Sequence, residues 1–130
     1  MTKSLIIGCG NLGQNIISGF YKKKKKILIC DKNKILLKEI KKNYKNFFEV
    51  KENLKEVSLE KIEYIFLCIK PQQVLSVLRI LGNKNKQKIK IISFVAGLKD
   101  KKIRSFFSHK IEVIRIMPNL LLKVQKSTTG

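Results

Sequence analysis

Along most of this chain, apolar runs of strand length alternate with segments of helical period. Residues 5–7 form a short apolar run, extendable back to Lys3, and Leu12, Ile16, Ile17 and Phe20 then recur at helical spacing. Residues 27–30 predict a second strand, closed by Asp31, and Leu36, Leu37, Ile40 and Tyr44 mark the next helix face. A weak strand is expected at 47–50 and a strong one at 64–69. Pro71 suits the first turn of a helix whose Val74, Val77, Leu78 and Leu81 form one stripe, with Gly82 expected to stop it. A strand at 89–95, a helix at 99–107 and a last strand at 111–117 complete the pattern. Strands apolar on both faces and separated by helices require a parallel sheet covered on both sides. The expected fold class is therefore α/β, a doubly wound parallel sheet in a single domain.

The break between the first strand and the first helix carries the clearest chemistry. Gly8, Gly10 and Gly13 form GxGxxG within IIGCGNLGQNI at 6–16. In a strand–turn–helix setting the first glycine lets the chain turn, the second lets a pyrophosphate approach the backbone, and the third lets helix and strand pack closely. Backbone N–H groups and the helix N-terminus then face the phosphates. Asp31 ends the second strand, at the offset where a carboxylate accepts from a ribose 2′-hydroxyl. This is the pattern of a Rossmann-type dinucleotide site; a glycine-rich tight turn with no ligand is the alternative. In the strand order 3-2-1-4-5-6 the crevice opens between the first and fourth strands. Lys70 stands at the end of the fourth, although lysine is frequent enough here to sit there by chance.

Composition sharpens this picture. The 130 residues suit one domain, and the net charge of +20 raises the question of nucleic acid or an anionic membrane. The 26 lysines against 3 arginines, scattered with few aromatics among them, speak for solvated faces instead, because phosphate and base readers favour Arg forks and stacking platforms. No nucleic-acid partner is expected. The run at 22–26 reads as a solvated turn on the side away from the crevice. Cys9, Cys30 and Cys68 lie in or beside apolar runs without CxxC spacing, so free buried thiols are expected. With no signal-like or membrane-spanning window, a cytoplasmic, membrane-free protein is expected. His109 has no Cys, His or acidic cluster around it in sequence, so no metal site is expected.

Four segments, IIGCGNLGQNIISGF at 6–20, IKPQQV at 69–74, ISFVAGL at 92–98 and VIRIMPN at 113–119, resemble pyrroline-5-carboxylate reductase in order and spacing. The resemblance runs from Leu5 to about Gly130. It implies an NAD(P)H-dependent oxidoreductase that reduces 1-pyrroline-5-carboxylate, a small imine, to L-proline in proline biosynthesis. By the same resemblance Gly8, Gly10, Asn11, Leu12 and Gly13 would wrap the pyrophosphate, and Asn53 would lie near the adenosine ribose. Lys70 and Pro71 would line the cofactor crevice, and Ala96, Gly97 and Asn119 would face the nicotinamide and substrate. No catalytic residue is assigned.

Two departures stand out: Leu120-Leu121 follow MPN where the family continues with Thr-Pro, and Ser127 stands where a glycine is expected. The resemblance further implies a helical, dimer-forming domain after the dinucleotide domain. On this expectation residues 1–125 form the NAD(P)-binding domain, 126–130 begin a C-terminal region missing here, and full-length family members are homo-oligomers through a dimerisation domain that this chain lacks. The alternatives are a non-catalytic NAD(P)-binding module or truncated remnant and, further off, a basic nucleic-acid-binding protein. On cofactor choice, Asp31 favours a free ribose 2′-hydroxyl while Lys32 and Lys34 would attract a 2′-phosphate. NADH is expected to be slightly favoured.

Overall fold

A computed structural model describes residues 2–84 and 88–116. In chain order the elements are β1 (Ser4–Ile7), α1 (Asn11–Lys22), β2 (Leu28–Cys30), α2 (Lys34–Asn43), β3 (Glu49–Lys51), β4 (Tyr64–Leu67), α3 (Val74–Lys84), β5 (Lys90–Ser93), α4 (Asp100–Arg104) and β6 (Glu112–Arg115). Short 3-10 turns occupy Leu54–Glu56 and Pro71–Gln73. The six strands are all parallel, in the order β3-β2-β1-β4-β5-β6. This is the expected doubly wound, Rossmann-type α/β sheet.

Alternation along the strands sorts side chains into two layers. Leu5, Ile7, Ile65, Leu67 and Ile91 pack on one face with Val77, Leu78 and Leu81 of α3 and Ile103 of α4. Ile6 and Ile29 face the other way, against Ile17 of α1 and Leu37 and Ile40 of α2. Each fully buried Leu or Ile contributes roughly 1.5–3 kcal/mol. The interior strands β1 and β2 are buried throughout, whereas the edge strands β3 and β6 are largely open. The register Cys30↔Ile7↔Leu67↔Ser93 brings the ends of the four middle strands level. The loops that follow them therefore gather along one rim.

Three local expectations need correction. Gly82 does not end α3, which runs on to Lys84. A Cβ on Gly82 would collide with the carbonyl oxygen of Phe106, so the glycine is there for close approach. The third strand is Glu49–Lys51, two residues later at its start than expected. Phe47 and Phe48 instead join Tyr21 and Tyr44 in a group of edge-on rings with centroids 4.8–6.1 Å apart. The sixth strand is not covered on both faces: Ile114 is exposed in it, as is Ile116 just after it. Met117, Asn119 and the boundary expected at 125–126 lie outside the described residues.

Candidate cofactor site

The turn between β1 and α1 needs each of its glycines for a different reason. Gly8 has φ +98°, and a Cβ there would stand 2.5 Å from the carbonyl oxygen of Cys68 at the end of β4. A Cβ on Gly13 would run into the carbonyl oxygen of Gly8, so this glycine sets how closely α1 lies against the loop. Gly10 is the opposite case: a Cβ there meets nothing within 4 Å. The space in front of Gly10 is open and leaves room for a ligand to approach the backbone. Gly10 is also the N-cap of α1 and gives it no side-chain hydrogen bond, and no acidic residue stands in the first turn. The N–H groups of Asn11, Leu12 and Gly13 therefore open the helix with its positive end uncovered. These features fit a pyrophosphate.

Asp31 joins β2 to this turn. Its Oδ2 accepts from the Cys9 backbone N–H at 2.8 Å and from the Cys9 thiol at 3.2 Å, and its Oδ1 accepts from the Asn33 N–H at 2.8 Å. Asn33 then caps α2, its Oδ1 accepting from Ile35 N at 2.9 Å and Leu36 N at 3.2 Å. On the far side of the loop the Gln14 side-chain amide donates to the Cys9 carbonyl at 3.1 Å. The loop is thus braced before any ligand arrives.

Next to this brace lies a cleft of about 560 Å³ lined by Gly8, Cys30, Asp31, Lys32, Glu52 and Asn53 among others. It brings together Gly8, Asp31, Lys32 and Asn53 from the residues singled out in the sequence. Asn53, on the cleft wall, uses its Oδ1 to accept from Lys55 N at 3.0 Å. The remaining candidates do not line this cleft. Gly10, Asn11, Leu12 and Gly13 form the adjoining turn and helix start. Lys70 is exposed at the end of β4, its backbone N–H donating to Gln73 Oε1 at 3.4 Å, with Pro71 opening the 3-10 turn. Ala96 and Gly97 are exposed beyond the end of β5, Gly97 with φ +75°. Sequence reading missed the far wall, Gln73, Ser76, Val77 and Ile80, and the near residues Glu52 and Lys55. Of these only Val77 stands in the apolar stripe that the sequence shows, where it reads as core. Lys34 reaches Glu52 at 3.8 Å, so its charge is partly answered at the cleft mouth while Lys32 faces the opening.

Residues 3–97 match the family described as NADP oxidoreductase, coenzyme F420-dependent. The chain belongs to that family. Among curated relatives, 127 residues are 27% identical to pyrroline-5-carboxylate reductase of Pasteurella multocida, covering 95% of this chain and 46% of that protein. Pyrroline-5-carboxylate reductase 2 of Bacillus subtilis is 28% identical over 141 residues, covering all of this chain and 47% of the relative. The resemblance drawn from the four sequence segments is borne out. The chain spans about half the length of the curated relatives it matches. Two solved structures share its fold: a pyrroline-5-carboxylate reductase from Coxiella burnetii (TM-score 0.81, 22% identity, 95% of this chain and 46% of that one) and one from Streptococcus pyogenes (0.70, 23%, 95% and 45%).

Within this family member the cysteines are free, Cys9 and Cys30 buried and Cys68 partly so. Burial pushes the Cys30 thiol up to about 11 and the Cys68 thiol up to about 12. Cys9 is raised further, by burial first and then by the Asp31 carboxylate beside it. Such thiols stay protonated and unreactive at neutral pH. Among the described residues no group of three His, Cys, Asp or Glu side chains could hold a metal, and no helix is long and apolar enough to cross a membrane. His109 packs edge-on to Phe107, ring centroids 6.1 Å apart. The lysine run lies between α1 and β2, at the opposite end of the strands from the cleft, and Lys26 donates from there to the Phe47 carbonyl at 2.7 Å.

Proposed function

We propose that this chain is the cofactor-binding part of a pyrroline-5-carboxylate reductase, holding NAD(P)H for reduction of the imine to L-proline. The observation that carries the reading is the open space before Gly10, set between an uncapped helix N-terminus and the cleft holding Asp31 and Asn53. The bound dinucleotide would supply the hydride. The chain's residues do the holding: the α1 N-terminus takes the pyrophosphate, Asp31 accepts from the adenosine ribose, and Asn53 donates to it. Lys70 and Pro71, at the end of β4, and Ala96 and Gly97, beyond β5, stand on the rim toward the nicotinamide end. Asn119 is proposed for the same end on the resemblance alone. A homo-oligomer and a cytoplasmic location belong to the same reading.

Calorimetric titration of the purified chain with NADH and NADPH tests it; no binding of either would end it. Both are expected to bind, NADH modestly tighter, because the braced Asp31 carboxylate faces where a 2′-phosphate would sit. A tenfold or greater preference for NADPH would assign the ribose to Lys32 instead. Turnover on pyrroline-5-carboxylate by this chain alone should be small, since holding the imine against the nicotinamide supplies roughly 7–11 kcal/mol of such a barrier and the chain spans only half of its relatives. Rapid NADH oxidation by the chain would refute that part. Binding with no turnover even in a full-length context would favour the alternative, a non-catalytic NAD(P)-binding module.

A further inference from the structure

The two walls of the cleft come from distant parts of the chain. One wall is a single stripe of helix and preceding turn, Gln73, Ser76, Val77 and Ile80. The other is the 3-10 turn Leu54–Glu56 with its N-cap Asn53, of which Asn53, Leu54 and Lys55 line the cleft. Four residues beyond Ile80, on the same helix face, α3 ends at Lys84. Its Nζ donates to the carbonyl oxygens of Lys55 at 2.6 Å and Leu54 at 3.3 Å. Lys84 does not line the cleft, yet it ties one wall to the other.

We propose that Lys84 is a positioning residue for the adenosine side of the cofactor site: by gripping the 3-10 turn it sets the spacing between the Asn53 wall and the α3 wall. The inference rests on the reading that the cleft receives the adenosine half of a dinucleotide. Three observations support it. The turn is only three residues long, and its last carbonyls have few partners within so short a helix; Leu54 O also accepts from Val57 N at 3.1 Å, and Lys84 supplies the partner for Lys55 O. Leu54 is buried in the same core cluster as α3 residues Val77, Leu78 and Leu81, so apolar packing locates the start of the turn while the ammonium grips its carbonyls. The ammonium's charge also opposes, to a small degree, the rise of the thiol pKa of Cys30, which lines the same cleft. Asn53 precedes the gripped residues directly. A shift of the turn therefore moves the ribose-side amide with it.

The test compares the parent chain, Lys84→Ala and Lys84→Arg by calorimetric titration with ADP-ribose, at a temperature where circular dichroism shows each to be fully folded, at low and at high salt. Lys84→Ala should bind ADP-ribose about five- to tenfold more weakly at both salt concentrations, and Lys84→Arg, which keeps donors for both carbonyls, should return to within about twofold of the parent. A purely structural lysine would lower the melting temperature and leave the affinity of the folded chain unchanged. Affinity within about twofold of the parent in Lys84→Ala overturns the proposal, and so does a loss that disappears at high salt, which would make the effect one of distant charge. If Lys84→Ala fails to fold, Lys84→Gln, which retains most of the stem and one donor group, is read by the same criteria. A parent chain that does not bind ADP-ribose refutes the dinucleotide reading itself, a different outcome from a parent that binds and a variant that binds equally.

Discussion

Asp31 Oδ2 accepts from both the backbone N–H and the thiol of Cys9, a residue twenty-two positions earlier in the chain. The carboxylate proposed to read the ribose is thus also the brace of the glycine turn. Asp31→Ser should therefore have two effects. It should shift binding toward NADPH by removing the charge, and it should lower stability by about 1–3 kcal/mol, because the N–H groups of Cys9 and Asn33 lose their acceptor. Paired titrations with the two cofactors and a urea melt measure these; an unchanged cofactor ratio would remove Asp31 from ribose recognition.

Gly10 and Gly13 separate binding from folding. Gly10→Val adds a side chain to open space and should leave the melting temperature within a few degrees of the parent while abolishing NADH binding. Gly13→Ala drives a Cβ into the Gly8 carbonyl and should cost about 1–3 kcal/mol or more, through the forced movement of α1. Near-parental NADH affinity in Gly10→Val would take the glycine turn out of the site.

The raised thiols make stability fall in alkali. Cys30 at about 11 and Cys68 at about 12, against an ordinary 9.0, bind their protons more tightly folded than unfolded. Their contribution is complete below pH 9 and is lost as pH rises through the folded values, at up to about 1.4 kcal/mol per pH unit for each thiol. Urea melts of the parent and of Cys30→Ala between these pH values should converge as pH rises. At neutral pH, Ellman's reagent should react slowly with the folded chain and promptly with all three cysteines in denaturant; fast labelling of the native protein would contradict the burial of Cys9 and Cys30.

Gly82→Ala should cost about 1–3 kcal/mol, because the added methyl group meets the Phe106 carbonyl and pushes the segment after α4 away from α3. Equilibrium unfolding measures this. A variant as stable as the parent would mean that the two segments can part freely.

The order of strands and helices was legible because the interior strands are built around apolar runs, and the glycine turn with Asp31 was legible because its spacing has a mechanical reason. What stayed hidden depends on which neighbour a residue meets. Gly82 looks like a helix stop, since a glycine that ends a helix and one that admits a neighbouring carbonyl are identical in sequence. Phe47 and Phe48 look like the start of β3, but stacking on Tyr21 and Tyr44 outweighs strand pairing, and the ladder begins at the polar Glu49. On α3 the sequence shows an apolar stripe and no more. That Val77 packs in the core and also lines the cleft, while Lys84 crosses to the opposite wall, follows only from how α3 sits over the turn at Leu54.

The two layers are unequal: among the described residues the cluster under α3 and α4 holds 21 buried residues and the one under α1 and α2 holds 8. The cradle is divided between them, for Cys9 beneath the glycine turn belongs to the thin layer and Leu54 beneath the adenosine wall to the thick one. Local opening should begin in the thin layer, and hydrogen exchange at α2 should run ahead of that at α3. A dinucleotide lying across both would work as a staple between two folding units. Its arrival should slow exchange along the whole of α2, including the end far from Asp31 and Lys32.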